Sequence, residues 1–172
     1  VILDPADLAR LSAQKAPGNL AFRRFLKARH DDHHLLHVIG AEMESRIDCR
    51  QCAACCRETR VEVGSADLAR IGAFLKLRPA EVERMYTERC RDRAELLLAQ
   101  TAGECVFLDH SECLIYDARP PACRLFPYLT PLAASLGNRI ESIWRRASYC
   151  PIVFHAIEEY KHRTGFHLRD QP

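Results

Sequence analysis

No stretch of this sequence approaches the roughly 18 apolar residues in a row that a bilayer-crossing helix needs, so nothing in it suggests a membrane span. The opening VILDPADLARLSAQK has neither a basic flank nor a long apolar core and is not read as a secretory signal. It also lacks an initiator Met, which leaves room for an earlier start or a removed leader. Charge of one sign is not in excess either. Lys and Arg total 25 against 23 Asp and Glu, a net of +2, too even a balance to argue for nucleic acid or a membrane surface as partner. Glycine is scarce, seven residues in all, with no Gly-rich nucleotide loop. No Ser-His-Asp pattern and no pair of catalytic carboxylates stands out, so whether the chain is an enzyme stays open. Internal repeats, linkers and low-complexity segments are not apparent. With 172 residues, 48% of them hydrophobic, the chain is long enough for one domain with a sizeable core.

What the sequence does have is cysteine. In DCRQCAACCR (48–57), Cys49, Cys52, Cys55 and Cys56 form C-x2-C-x2-C-C. Thiolates are soft donors suited to zinc, copper(I) and iron–sulfur clusters, and an x2 gap lets one loop offer two of them to one centre. On an α-helix, at about 100° per residue, all four would fall within an arc of about 120°. The competing readings are a disulfide framework and ordinary buried thiols. The total of nine cysteines is odd, so complete internal pairing is impossible, and a secreted disulfide scaffold is usually shorter. A reducing cytoplasm with metal-bound thiolates fits better.

Along the chain, residues 5–16 read as a helix that opens at Asp4-Pro5 and ends at Pro17-Gly18. A second helix is expected from Leu20 to Ile47, with Phe22, Phe25, Leu36, Ile39, Met43 and Ile47 as its buried stripe. It would feed the chain into Cys49. This helix carries His30, His33, His34 and His37 at i, i+3, i+4 and i+7, away from the apolar stripe. A solvated polar face is the first reading, a metal or partner site the second. TRVEV (59–63) alternates like a strand. Ser65 is positioned to cap DLARIGAFLKL, and Pro79 opens AEVERMYTERC, a helix expected to hold Cys90 as an ordinary thiol. The pair resembles a DNA-reading helix–turn–helix in outline. However, Glu81, Glu83 and Glu88 stand beside Arg84 and Arg89, a poor match to phosphate.

ELLLAQT reads as a strand, and CVFL-DHSE-CLIY as a hairpin with Cys105 and Cys113 on neighbouring strands near its base. Pro120, Pro121 and Pro127 stiffen DARPPACRLFP and fix where Cys123 points. Residues 128–137 show no clear period, and NRIESIWRRA reads as a helix. Cys150 precedes Pro151, which opens a final helix closed by Gly165; a thiolate there gains from the helix dipole. The fold expected is α+β, with helices packed around a small antiparallel β-sheet and a cysteine-rich metal centre at their junction. Residues 1–46 would be a helical support, 47–165 the metal-binding part, and 166–172 a frayed tail, the whole read as one continuous domain.

Taken together, C49-x2-C52-x2-C55-C56, C105-V-F-L, C113-L-I-Y-D-x-R-P-x-x-C123-R-x-F-P and C150-P resemble the YkgJ-like cysteine-cluster family, whose members are described as zinc- or iron-chelating domains. The resemblance runs from about Ile47 to Pro151. It implies zinc or iron ligation by Cys49, Cys52, Cys55, Cys56, Cys105, Cys113, Cys123 and Cys150. Separately, C49-x2-C52-x2-C55 with the remote Cys150-Pro151 echoes the bacterial ferredoxin run, so the expected cofactor is a 4Fe-4S iron–sulfur cluster or Zn2+. Tyr116, Arg119, Pro120, Arg124 and Pro127 match the family's Y-x-x-R-P-x-x-C-R-x-[FY]-P segment, whereas Ile152 stands where many members have Gly. Eight clustered thiolates need cations when buried. Arg57, Arg119 and Arg124 flank the ligands and are candidates to support sulfur or a bound anion, with ordinary salt bridges as the alternative. Arg119 is also placed to brace the proline loop through Asp117 or a carbonyl. The function expected is a metal-binding protein with a structural, regulatory or electron-transfer centre. The alternatives are a metal-dependent enzyme, for example in protein modification, and a zinc-stabilised interaction module. Metal ions are the expected partners, with room for an unidentified protein.

Overall fold

The computed structural model describes residues 3–29, 34–90, 94–129 and 140–167. In chain order its helices begin with α1 (Pro5–Ala28), α2 (His34–Arg46), the short turns α3 (Cys49–Cys52) and α4 (Ala54–Glu58), α5 (Ser65–Leu75) and α6 (Pro79–Tyr86). Short strands follow: β1 (Thr87–Arg89), β2 (Leu96–Leu98), β3 (Gln100–Thr101), β4 (Glu104–Cys105), β5 (Leu108–Asp109) and β6 (Glu112–Cys113). A 3-10 turn at Tyr116–Ala118, then α7 (Pro121–Arg124), α8 (Ile140–Arg146) and α9 (Pro151–Arg163), complete the chain. The architecture is α+β, and its β part is a set of two-stranded antiparallel ribbons, β1-β2, β3-β4 and β5-β6. Among the described residues no helix is long and apolar enough to cross a membrane. By internal contacts the chain divides into two units, residues 1–49 with 127–172, and residues 50–126.

In the first unit α9 packs against α2, α8 and α1. Pro151 occupies the first turn, where a missing N–H costs nothing, and Gly165 takes φ +68° just beyond the helix end. The sequence-expected limits of this helix hold. Tyr160, Ile152, Val153 and Ala156 of α9 are buried, together with Leu36 and Ile39 of α2 and Leu8 and Phe22 of α1. Phe22 meets Tyr160 edge-on at 5.2 Å and Phe166 at 5.0 Å between ring centroids, arrangements that aromatic quadrupoles favour. Arg163 adds a fork to the Glu42 carboxylate of α2, at 3.0 and 2.6 Å.

Two helix expectations need correction here. Helix α1 does not stop at Pro17-Gly18 but runs through Pro17 to Ala28. Pro17 is exposed, and Leu8 and Phe22, on either side of it, anchor both halves by burial. Propensity, about 3 kcal/mol against an interior proline, loses to packing. The single helix expected from Leu20 to Ile47 is instead the end of α1 and all of α2.

The second unit has its own core of Val63, Leu68, Ile71, Val82, Leu98, Phe107, Ile115 and Ala118, with Tyr86 stacked on Phe107 at 4.8 Å. Helix α5 starts one residue earlier in its capping than expected. Gly64 is the N-cap, its N–H donating to Asp67 Oδ2 at 3.1 Å, and Ser65 is the first helical residue. Pro79 opens α6 as expected. That helix ends at Tyr86, however, and the TER of the expected helix becomes β1, paired with β2 so that Thr87 faces Leu98 and Arg89 faces Leu96. TRVEV runs along the other edge of β2. Glu62 bridges Leu97, flanked by Val63 N–H to Leu96 O at 2.9 Å and Leu98 N–H to Val61 O at 2.8 Å. The expected alternation holds, with Val63 buried and Glu62 exposed.

Candidate metal centre

The hairpin expected at CVFL-DHSE-CLIY forms around DHSE with a tighter turn, and another tight hairpin precedes it in tandem and takes Cys105. In the first, β3 and β4 pair Gln100 with Cys105 and Thr101 with Glu104 around Ala102-Gly103; in the second, β5 and β6 pair Leu108 with Cys113 and Asp109 with Glu112 around His110-Ser111. Two-residue hairpin loops require left-handed backbone, and Ala102 (φ +53°), Gly103 (φ +86°) and His110 (φ +56°) supply it. The closing bonds correspond as well: Val106 N–H to Ala99 O and Leu114 N–H to Phe107 O, both 2.9 Å. Residues 99–107 and 107–115 are thus an eight-residue structural repeat. Its trace in the sequence is Glu-Cys-Val-Phe (104–107) against Glu-Cys-Leu-Ile (112–115), a repeat too short and too divergent to stand out beforehand.

Each repeat carries a cysteine whose pKa the backbone N–H two residues on acts to lower, Phe107 for Cys105 and Ile115 for Cys113. An N–H near sulfur favours the thiolate. Burial works in the opposite direction and is the larger effect. It pushes the Cys105 thiol up to about 11, with the Cys56 and Cys113 thiolates adding to the rise. It raises Cys113 too, against the pull of Arg119. Cys123, held by the stiff Pro120-Pro121 entry to α7, is pushed up to about 12 by burial and then by Cys56, Cys105 and Cys113, again opposed by Arg119. Cys56 is raised well beyond the ordinary thiol range, first by its hydrogen bond with Cys55 and then by burial, while Arg119 and Arg57 act to lower it. Cys56, Cys105, Cys113 and Cys123 therefore lie within electrostatic reach of one another, with Arg119 as a cation common to Cys56, Cys113 and Cys123.

The gathering is looser than a coordination shell: among the described residues no three His, Cys, Asp or Glu are close enough to grip one ion. The C-x2-C-x2-C-C run is also not one continuous helix. Ala53, at φ +51°, breaks it between α3 and α4, so Cys49 and Cys52 belong to one turn and Cys55 and Cys56 to the next. Cys52, Cys55, Cys56, Cys90, Cys105, Cys113 and Cys123 are free thiols.

Of the remaining sequence candidates, Cys49 is exposed in the first unit. Cys150, also in the first unit, is 5% exposed and forms the N-cap of α9, its carbonyl accepting Phe154 N–H at 3.0 Å. Cys90 is not in a helix. It closes the β1-β2 hairpin through its N–H to Glu95 O at 3.0 Å. Arg57 is committed to a network: Nε donates to Glu104 Oε1 at 2.6 Å, Nη1 to Cys52 O at 3.3 Å and Nη2 to His110 O at 2.6 Å. Arg119 does brace the proline loop through a carbonyl, donating from Nε to Tyr116 O at 2.9 Å, with its guanidinium 3.5 Å from the Tyr116 ring centroid. Arg124 is exposed. In the histidine run, His30 and His33 lie outside the described residues, His34 is exposed, and His37 Nδ1 is 2.6 Å from Leu129 O.

A family model described as "CxxCxxCC: Putative zinc- or iron-chelating domain" matches residues 48–151. An uncharacterised protein of Methanocaldococcus jannaschii is 38% identical over 98 residues, which are 56% of this chain and 52% of that protein. The chain thus spans about half the length of this relative. No solved structure matches the chain.

Proposed function

The chain belongs to the CxxCxxCC family, described as zinc- or iron-chelating, and from that premise we propose that Cys56, Cys105, Cys113 and Cys123 bind one metal ion together as thiolates. The observation that carries this reading is the pair of tandem hairpins, which put Cys105 and Cys113 at equivalent positions within electrostatic reach of Cys56 and Cys123. The donor set fits. It consists only of sulfur, the choice of zinc and iron rather than of magnesium or calcium. Four bare thiolates in this half-buried setting would be prohibitive, and a divalent cation supplies the missing charge. Binding draws in thiols that now stand apart and holds together α4, both hairpins and α7. Cys49, Cys52, Cys55 and Cys150 are proposed as further metal ligands on their sequence spacing, which echoes the bacterial ferredoxin run.

The role that follows is a thiolate-held centre for structure, regulation or electron transfer, with an iron–sulfur cluster favoured over zinc at the C-x2-C-x2-C motif in the cell and zinc able to replace it in air. The test is purification without oxygen from an iron-replete host, followed by iron, zinc and sulfide analysis and an absorption spectrum. Brown, oxygen-sensitive protein with broad absorbance near roughly 400 nm supports the iron form. Colourless protein with stoichiometric zinc overturns the iron preference and leaves the zinc module. Protein without any bound metal overturns the reading itself.

A further inference from the structure

Arg57 follows the cysteine pair directly, and its guanidinium reaches three other pieces of the centre. It touches the side chain of Glu104, the residue before Cys105; the carbonyl of Cys52; and the carbonyl of His110, in the turn that leads to Cys113. The three acceptors lie 47, 5 and 53 residues away in the chain. We propose that Arg57 is a positioning residue for the metal centre: without touching metal, it fixes the spacing between the Cys52–Cys56 segment and the two hairpins. This rests on the metal reading above and goes beyond it by naming what pre-organises the ligands.

The geometry suits Arg and no other side chain. A planar fork presents several N–H donors in fixed directions, whereas a lysine ammonium is a single point with no such plane. The two carbonyls belong to the backbone, so these links do not depend on which side chains stand at 52 and 110. Glu104 neutralises the guanidinium through a contact that is only half-buried, where an ion pair by itself contributes little to stability. The larger effect is therefore expected on metal binding, where partners outside the ligand set commonly account for tenfold to hundredfold in affinity.

The experiment titrates Co2+ into reduced, metal-stripped full-length protein and then displaces it with Zn2+, comparing wild type with Arg57→Ala, Arg57→Lys and Glu104→Gln. Tetrahedral thiolate cobalt has a characteristic visible spectrum, which reports ligand geometry as well as affinity. Arg57→Ala is expected to bind the same number of ions at tenfold to hundredfold lower affinity with an altered band shape. Arg57→Lys is expected to restore little of this, and Glu104→Gln, which keeps an acceptor, to lose less than Arg57→Ala. Wild-type affinity and band shape in both Arg57 variants would overturn the proposal. An absent cobalt spectrum in the wild type would instead sink the metal reading. Should Arg57→Ala fail to fold, Arg57→Lys and Glu104→Gln carry the same comparison.

Discussion

Metal uptake by this protein should be a proton-releasing reaction with a steep dependence on pH. Cys105 and Cys123 hold their protons up to about 11 and about 12, and Cys56 and Cys113 are raised as well. At pH 7 a thiol of pKa about 11 is ionised in only about one molecule in ten thousand. A metal that binds all four as thiolates must therefore expel close to four protons, because only the deprotonated thiol is a ligand. Apparent affinity should then rise by up to about tenfold per thiol for each pH unit between 6 and 8, and Cys113→Ser should remove about one proton from the count. The assay is calorimetric titration of reduced, metal-stripped protein with Zn2+ in buffers of equal pH and different ionisation enthalpy, which yields the proton number directly. Release of one proton or fewer per zinc, or an affinity flat from pH 6 to 8, would refute the reasoning. It would mean either that the thiols are already ionised or that they are not the ligands.

The metal-free protein should lose stability as pH rises from about 9 toward 12. Unfolded thiols ionise near 9.0 while Cys105 and Cys123 stay protonated to about 11 and 12, so the unfolded state binds fewer protons in that window and gains with pH. A melting temperature that is flat or rises across it counts against the burial of these thiols. Cys90→Ser should keep its full metal content, since Cys90 closes the β1-β2 hairpin through its backbone; loss of metal in that variant would show that it ligates. Gly72→Ala should destabilise by about 1–3 kcal/mol, as overpacking does, despite alanine's better helix propensity. The new Cβ would stand 2.6 Å from the Leu77 carbonyl oxygen, which is backbone, and an unchanged urea midpoint would contradict the tight approach of α5 to the Leu77 turn.

Local chemistry made much of this legible from sequence. Pro79 and Pro151 mark helix starts because a missing N–H is harmless in a first turn, and Gly165 marks an end because it accepts positive φ. The cysteine spacing pointed to metal because thiolates so dense have few other uses. Pro17-Gly18 misled for an identifiable reason. A breaker ends a helix only when no packing on both sides of it is at stake, and Leu8 and Phe22 lie on either side. The extension of the α6 helix through Thr87–Arg89 failed similarly, since a helical charge pattern there carries no sign that β2 is available to pair with it.

The hairpin expectation shows where reading by eye runs out. From the sequence, Cys105 and Cys113 belong on neighbouring strands of one hairpin, near the base of its turn. They are instead equivalent positions of consecutive repeats, each closed by its own two-residue turn. Register is decided by turn length, and here the turns contain Ala102 and His110 at positive φ, residues that give little warning of it. Left-handed alanine and histidine cost on the order of 1 kcal/mol each, a strain that natural sequences tolerate where surrounding structure holds it in place. The hydrogen bonds of Arg57 to Glu104 and His110 O reach one repeat each. The strained turns and the arginine converge on the segments that carry these two cysteines, which brings the thiols near one another without closing a coordination shell around one ion.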